Sequence, residues 1–313
     1  MTPRPLASGD GGHDGGTKAK APAPLAIGLG VIALLAFYRA MVFIHEIMHQ
    51  RRSLSRSFVI AWNVLCGIPG LLPSFLYETH RDHHLPRLYG SARDGEYFPP
   101  AQPPSTSGLL VLAAAPLRLP AAFLRFLVAA PLGWCLPRLR VHILGRMSAL
   151  VVHGNYVRRD VGEARAPAHW LIQEAACFVC CAGAVAATAA GFIPASRILE
   201  LWLIASGAAL LQSLRVLVAH GYRNDGEPMT FAQQVLDSRS FPGGFAELWA
   251  PLGLRFHAEH HLLPHLPYHA LPEAHRRLMR AIPPAAPFRL TVETSLARAL
   301  LRFVTGARPG MAG

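Results

Sequence analysis

Charged side chains are scarce in this chain: 15% of its 313 residues, against 52% apolar, where an ordinary soluble domain carries roughly 25% charged. That shortage excludes a surface wetted on all sides, and with a mean hydropathy of +0.29 it predicts an integral membrane protein. Lysine is almost missing. Lys18 and Lys20 stand against 28 arginines, a bias that, with abundant alanine, points to a GC-rich bacterial genome. Acidic residues number 18 against 30 basic ones, a net charge of +12. Arginine flanking membrane spans on the cytoplasmic side accounts for such an excess. With no DNA-reading motif or aromatic single-strand platform, no nucleic-acid partner is expected. Cysteine is sparse too, at positions 66, 135, 177, 180 and 181. Three of the five lie inside one apolar run, which excludes a secreted disulfide framework and makes Cys177-x-x-Cys180 a buried pair in a lipid-embedded helix. No repeat is present, and the apolar content excludes disorder over the whole chain.

Residues 1–23 hold glycine, proline and charge without apolar period and are expected to be a disordered tail. Residues 24–44 are long enough for one span of about 31 Å at 1.5 Å per residue, and Arg51, Arg52 and Arg56 would hold its end in the cytoplasm. The apolar stretch 58–77 is broken by Gly67-Ile68-Pro69-Gly70 and Pro73. It predicts a helix, a break and a short second helix that does not cross. Residues 85–107 read as a loop. Residues 109–136, interrupted by Arg118, Pro120, Arg125 and Pro131, read as a pair of interfacial helices. After an arginine-rich stretch, 169–192 and 198–219 are separated by Ile193-Pro194-Ala195-Ser196-Arg197 and predict a membrane-crossing helical hairpin with its turn outside. Residues 220–313 are polar, with amphipathic helices near 272–282 and 291–304. The expected division is a membrane domain over 24–282 and a C-terminal amphipathic helix and tail over 283–313.

Histidine is what the chain has in excess, 16 residues in all. His45-Glu46-Ile47-Met48-His49 places two imidazoles at i, i+4, about 40° apart on one helix face. His80-Arg81-Asp82-His83-His84 and His257-Ala258-Glu259-His260-His261 each place three within roughly 100° of arc, able to face one centre. His220 stands where the last predicted span meets the cytoplasm. Eight histidines in three matching clusters exceed what packing requires. They also exceed the four ligands of one tetrahedral zinc, so two metals are implied.

These three clusters resemble the histidine boxes of the membrane fatty acid desaturase superfamily. The stretch from Glu259 to His269 is similar to the segment after that family's last box, and Leu217-Val218-Ala219-His220-Gly221-Tyr222 to the one carrying its extra histidine. The resemblance covers about residues 40–280. It implies an all-α membrane fold, transmembrane helices with a cytosolic histidine-rich helical cap, and a non-haem di-iron centre that uses O2 to oxidise aliphatic C–H bonds. Carried over, the iron ligands would be His45, His49, His80, His83, His84, His220, His257, His260 and His261. The position at which acyl-CoA enzymes carry a water-linked asparagine is Val216 here, and the short first box looks more like acyl-lipid, sphingolipid and carotenoid enzymes. The expected activity is a fatty acid or acyl-lipid desaturase, with a lipid or carotenoid hydroxylase or ketolase as alternative. Two electrons would come from a separate ferredoxin or cytochrome, since no haem or flavin motif is present. The expected location is a bacterial inner membrane, active site facing the cytoplasm.

Glu46, Asp82 and Glu259 are candidates for orienting imidazoles. Asp94, Glu96 and Tyr97 resemble a recurring family segment. His265, His269 and His275 sit on proline-broken backbone and are not expected to bind metal. His142, His153 and His169 have no partner at ligand spacing and read as structural. Two rivals remain. His45-Glu46-Ile47-Met48-His49 is literally H-E-x-x-H, the signature of a zinc metalloprotease with a glutamate base, and a membrane module storing or moving metal would also collect histidines. Neither explains all three clusters as an oxidase does.

Overall fold

A computed structural model describes residues 22–50, 54–98, 104–159, 166–224 and 226–305; of the tail expected over 1–23, residues 1–21 lie outside the described residues and Ala23 already starts a helix, and the flanking Arg51 and Arg52 lie outside as well. The chain is all-helical. Among the described residues, extended pairing is limited to single bridges joining His220 to Ser238 and Ser240 to Phe256 and Val292. Four helical runs are long and apolar enough to cross a membrane: Ala23–His49, Thr106–Cys135, Ala168–Ala189 and Ala195–Ala219. Most of each run faces outward, with Leu25, Ile27, Ile32, Leu109, Ile172, Val179, Leu199 and Leu203 all exposed. A belt of that kind is tolerated in lipid and not in water. This is a membrane protein.

The first run comprises α1 (Ala23–Val42) and α2 (Ile44–His49), joined at Phe43 without loss of helical direction. Alanine and leucine favour the helix, Pro22 and Pro24 suit its start, and no charge interrupts it before Arg39. The break predicted after residue 58 is present. Helix α3 (Arg56–Trp62) passes into a π-helical turn (Asn63–Gly67), the chain reverses at Leu71 (φ 54°), and a 3-10 turn (Ser74–Tyr77) follows. Asn63 closes the break: its Nδ2 donates to Val59 O, and its Oδ1 accepts from Ser74 N, both at 2.9 Å. A backbone opened in an apolar setting needs such side-chain partners. The next short helix, α4 (His80–His83), carries the second histidine box.

Residues 106–135 correct the expectation of two interfacial helices, and the loop expected to residue 107 gives way to helix at Pro104. The run is helical throughout: α5 (Pro104–Ala113), a 3-10 turn, α6 (Arg118–Leu124), a π-helical turn and α7 (Ala130–Cys135). Pro116, Pro120 and Pro131 fall near the start of a helical segment, where a missing N–H breaks little. Arg125 is not interfacial but buried, bonded to Glu174 at 2.5 Å. Helix α8 (Pro137–Arg146) folds back on α7, where Gly133 admits Ile143.

Helices α9 (Ala168–Ala189) and α10 (Ala195–Ala219) are linked by 190–194, with Gly191 at φ 78°. The predicted hairpin is splayed, because each leg finds a different partner. Helix α9 stacks Trp170 on Phe75 and sets Phe178 against Trp134. Helix α10 runs parallel to α1, with Gly207 against Leu34 and Gln212 against the Tyr38 hydroxyl. The two therefore end at the same level, where α1 delivers the first box and α10 delivers His220.

The rest closes this end. Helix α11 (Phe231–Asp237) starts on a Thr230/Gln233 capping box, and its Gln234 Nε2 donates to His83 O at 2.8 Å, fixing α4 from below. Helix α12 (His257–Leu262) carries the third box. It follows Gly253, whose φ is 72° and where a Cβ would lie 2.8 Å from Tyr268 O, so only glycine fits. Helices α13 (Leu271–Ala281) and α14 (Leu296–Thr305) follow; α14 packs Phe303 on Phe98 and Tyr222, within the same core as Tyr38, Leu217 and Trp249.

Candidate metal centre

All nine predicted ligand histidines meet in two groups. His45, His49, His80, His84 and His260 form one, and His83, His220, His257 and His261 the other, with ligand atoms in each group within 4.8 Å of one another. The expectation that one H-x-x-H-H box faces one centre needs correction. The i, i+4 pair His80/His84 serves the first group while His83, about 60° to 100° round the helix, serves the second. The third box is arranged in the opposite sense: His257 and His261 go to the second group and His260 to the first. The second and third boxes therefore each touch both groups, which ties the two groups into one centre, while the first box lies wholly in the first group.

Three of the facing nitrogens are bases, because their rings are held from the other side. His220 Nδ1 is 2.7 Å from the Tyr89 hydroxyl, which itself donates to Asp237 Oδ2 at 2.8 Å. The Tyr89 oxygen must then accept from His220 Nδ1–H, leaving a lone pair on His220 Nε2. His83 Nδ1 and His80 Nδ1 are likewise held by Asp94 Oδ2 (2.8 Å) and Glu96 Oε1 (2.7 Å). Yet His220 Nε2 lies 3.1 Å from His257 Nε2, His84 Nε2 lies 3.1 Å from His80 Nε2, and His260 Nε2 lies 3.1 Å from His49 Nε2. The buried His45 Nε2 has no hydrogen-bond partner. Inward lone pairs at such separations repel unless a cation sits among them, and the donor set fits two metal ions.

Protonation agrees. Burial, reinforced by neighbouring imidazoles, holds His80, His84, His220, His257, His260 and His261 well below the usual histidine pKa, so they are neutral and able to ligate. Burial also depresses His83, but the Asp94 charge and hydrogen bond, with Glu96, outweigh it and the net direction is upward. Burial raises Glu96 to about 7, opposed by the His83 charge.

The carboxylates gripping candidate ligand imidazoles here are thus Asp94 and Glu96, in the 90–97 turn, which the sequence singles out without a role. Glu46 accepts instead from Tyr268 N at 3.3 Å. Glu259 bonds the Ser240 hydroxyl and, at 2.5 Å, His275 Nδ1, steadying α12 rather than a ligand ring. Asp82 is half-buried on α4, beside His83. Among the histidines read as structural, His153 Nε2 meets Asp94 O (3.3 Å) and His169 Nε2 meets Glu78 Oε1 (2.9 Å). Sequence reasoning misses Tyr89 and Asp237, 148 positions apart, and Tyr77, stacked on His80 with centroids 4.5 Å apart and donating to Glu96. It also misses Arg215. This arginine and Val216 line, from α10, a small cavity whose other walls include His45 and His80 from one group and His83, His220 and His257 from the other.

Asp94→Asn should lower metal affinity about 10- to 100-fold, the usual effect of losing a carboxylate behind a ligand imidazole. Competition with a calibrated chelator measures it, and unchanged retention would refute the role.

A family model described as fatty acid desaturase matches residues 21–292. The chain belongs to the fatty acid desaturase family. A ceramide hydroxylase from Caulobacter vibrioides (strain NA1000 / CB15N) is 40% identical over 266 residues, 82% of this chain and 74% of that protein. No solved structure matches. This desaturase-family protein is therefore a membrane oxidoreductase acting in lipid metabolism. The protease reading falls with that membership: Glu46, its required base, is tied to Tyr268 N on another face of the helix.

Proposed function

We propose that the protein is an O2-dependent lipid hydroxylase whose substrate is a ceramide or a similar amide-bearing lipid, and that its nine gathered histidines hold two iron ions. The observation that carries the reading is 40% identity to a ceramide hydroxylase across most of both chains, on a chain whose histidines form two facing groups. Hydroxylation, the alternative in the sequence reading, is thereby preferred to desaturation. The reaction balances as R–H + O2 + 2 e⁻ + 2 H⁺ → R–OH + H2O, the electrons coming from a ferredoxin or cytochrome.

When bound, the irons supply the capacity to reduce O2 and attack an unactivated C–H bond. The chain supplies position. Asp94, Glu96 and the Tyr89–Asp237 pair hold His83, His80 and His220 in fixed tautomers. Val216 and Ala219 give the cavity an apolar wall on the α10 side, which keeps the reacting methylene from water. Tyr77 stacks on one face of His80 and shares the cavity wall with it. The cytoplasmic face of a bacterial inner membrane is the proposed location, since a soluble electron carrier must reach this end. The exposed Arg276, Arg277 and Arg280 of α13 suit an acidic one.

The test is turnover of ceramide in nanodiscs with ferredoxin and reductase under ¹⁸O2. One heavy oxygen gained in the lipid is the expected result. Loss of two hydrogens with no oxygen gained would make the protein a desaturase, and no change in any lipid offered would overturn the substrate class.

A further inference from the structure

Arg215 is the one arginine on the wall of the cavity, which also carries the Glu96 carboxylate, and it is buried, with 5% of its surface exposed. Its Nε donates to Gln212 Oε1 at 3.1 Å, and Gln212 Oε1 also lies 3.3 Å from the Tyr38 hydroxyl. Tyr38 in turn donates to Trp249 O at 2.9 Å, so the arginine is held from behind by a relay reaching across α1 to the 249 turn. No carboxylate among the described residues lies within ion-pair distance of it, whereas buried Arg125, Arg140 and Arg158 each have one.

A centre built to oxidise the middle of a hydrocarbon chain has no use for such a group. Methylenes filling the cavity would press on a buried charge whose hydrogen-bond donors they cannot satisfy, a costly arrangement. An oxygen acceptor in the same cavity reverses the sign, because a guanidinium offers paired donors to a carbonyl or hydroxyl. The cavity is small and bounded by both histidine groups, so an oxygen held by Arg215 leaves only a neighbouring carbon within reach of the metals.

We infer that Arg215 orients the substrate by binding a neutral oxygen at the lipid's polar end, so that oxidation falls on a carbon close to that oxygen rather than deep in the alkyl chain. This rests on the hydroxylase reading above and adds the position of attack and the residue that sets it. Val216 and Ala219 would contact the carbons next to the held oxygen.

The test uses full-length protein in nanodiscs, wild type beside Arg215→Met and Arg215→Lys, with Arg215→Lys guarding against misfolding. Binding is measured on zinc-loaded protein, which cannot turn over, with a short-chain ceramide and with an alkane of matched length as probes. Arg215→Met is expected to weaken ceramide binding about 10- to 100-fold, the loss of hydrogen bonds to a charged group, while leaving alkane binding and metal content unchanged. With iron and ¹⁸O2, KM for ceramide should rise by a similar factor and the hydroxyl should scatter along the chain; Arg215→Lys should fall between. Equal loss for both probes, or loss of metal, would make Arg215 a structural residue and overturn the inference. A wild type that hydroxylates a different oxygen-bearing lipid overturns the ceramide reading but leaves Arg215 supported, if Arg215→Met still abolishes discrimination against the alkane.

Discussion

His257→Ala/His261→Ala should remove one metal ion and leave the other: iron in the purified protein should fall from about two per chain to about one, because that i, i+4 pair belongs wholly to the second group. His80→Ala/His84→Ala should do the same from the other side, leaving the second group complete. His83→Ala/His260→Ala takes one ligand from each group, so it should weaken both sites together rather than empty one. Turnover should drop by about 10³-fold or more in the two paired variants, since a metal's stabilisation of the transition state is worth several kcal/mol. Elemental analysis distinguishes the patterns. If either paired variant lost both ions in parallel, the division into five and four ligands would be wrong.

Eight of the nine histidines were legible because helical periodicity is local: spacings of three and four residues put side chains on one face wherever the helix lies; His220, alone in its segment, was legible only through the family resemblance. Their partition between two groups was not legible. It depends on how α2, α4 and α12 are turned toward one another, which nothing within a box states. The same limit hid the groups behind the rings. Asp94 and Glu96 reach His83 and His80 through an irregular turn with no period to read, and Tyr89 finds Asp237 only after three of the four membrane-length helical runs have intervened. A carboxylate-rich turn ten or so residues after a histidine box was the available signal.

The spans show a different failure. Residues 24–44 and 198–219 were readable because unbroken apolar runs leave one choice, and the break near 67–73 because glycine and proline mark it. Residues 106–135 were misread because Arg125 looks, in sequence, like a residue that must reach water. Folding supplies Glu174 instead, from a helix some fifty positions on. Hydropathy scores each charge alone and so cannot see that a charge has been neutralised by tertiary contact.

That neutralisation makes Glu174 the most consequential stability residue away from the histidines. It is fully buried on α9; one oxygen meets Arg125 Nη2 at 2.5 Å and the other meets Arg140 Nη2 at 2.7 Å. Arg125 also donates from Nε to Met147 O at 2.9 Å and lies over the Phe126 ring, 4.5 Å from its centroid. The cluster thereby binds α9, the 125–129 turn and α8 together. Glu174→Ala would leave two guanidinium groups facing each other without a counter-charge. Breaking a buried pair in this way costs about 3–5 kcal/mol, or a fall of roughly 6–15 °C in the apparent Tm of a domain of this size, read by thermal unfolding in detergent. Arg125→Met/Arg140→Met/Glu174→Met should recover most of that loss, because no charge is then left to desolvate. The metal content of the surviving folded fraction should stay at the wild-type value in both variants. A fall in Tm under about 3 °C for Glu174→Ala, well short of what that cost implies, would show that the arginines reach water. Residues 106–135 would then revert to the interfacial pair that their sequence suggests.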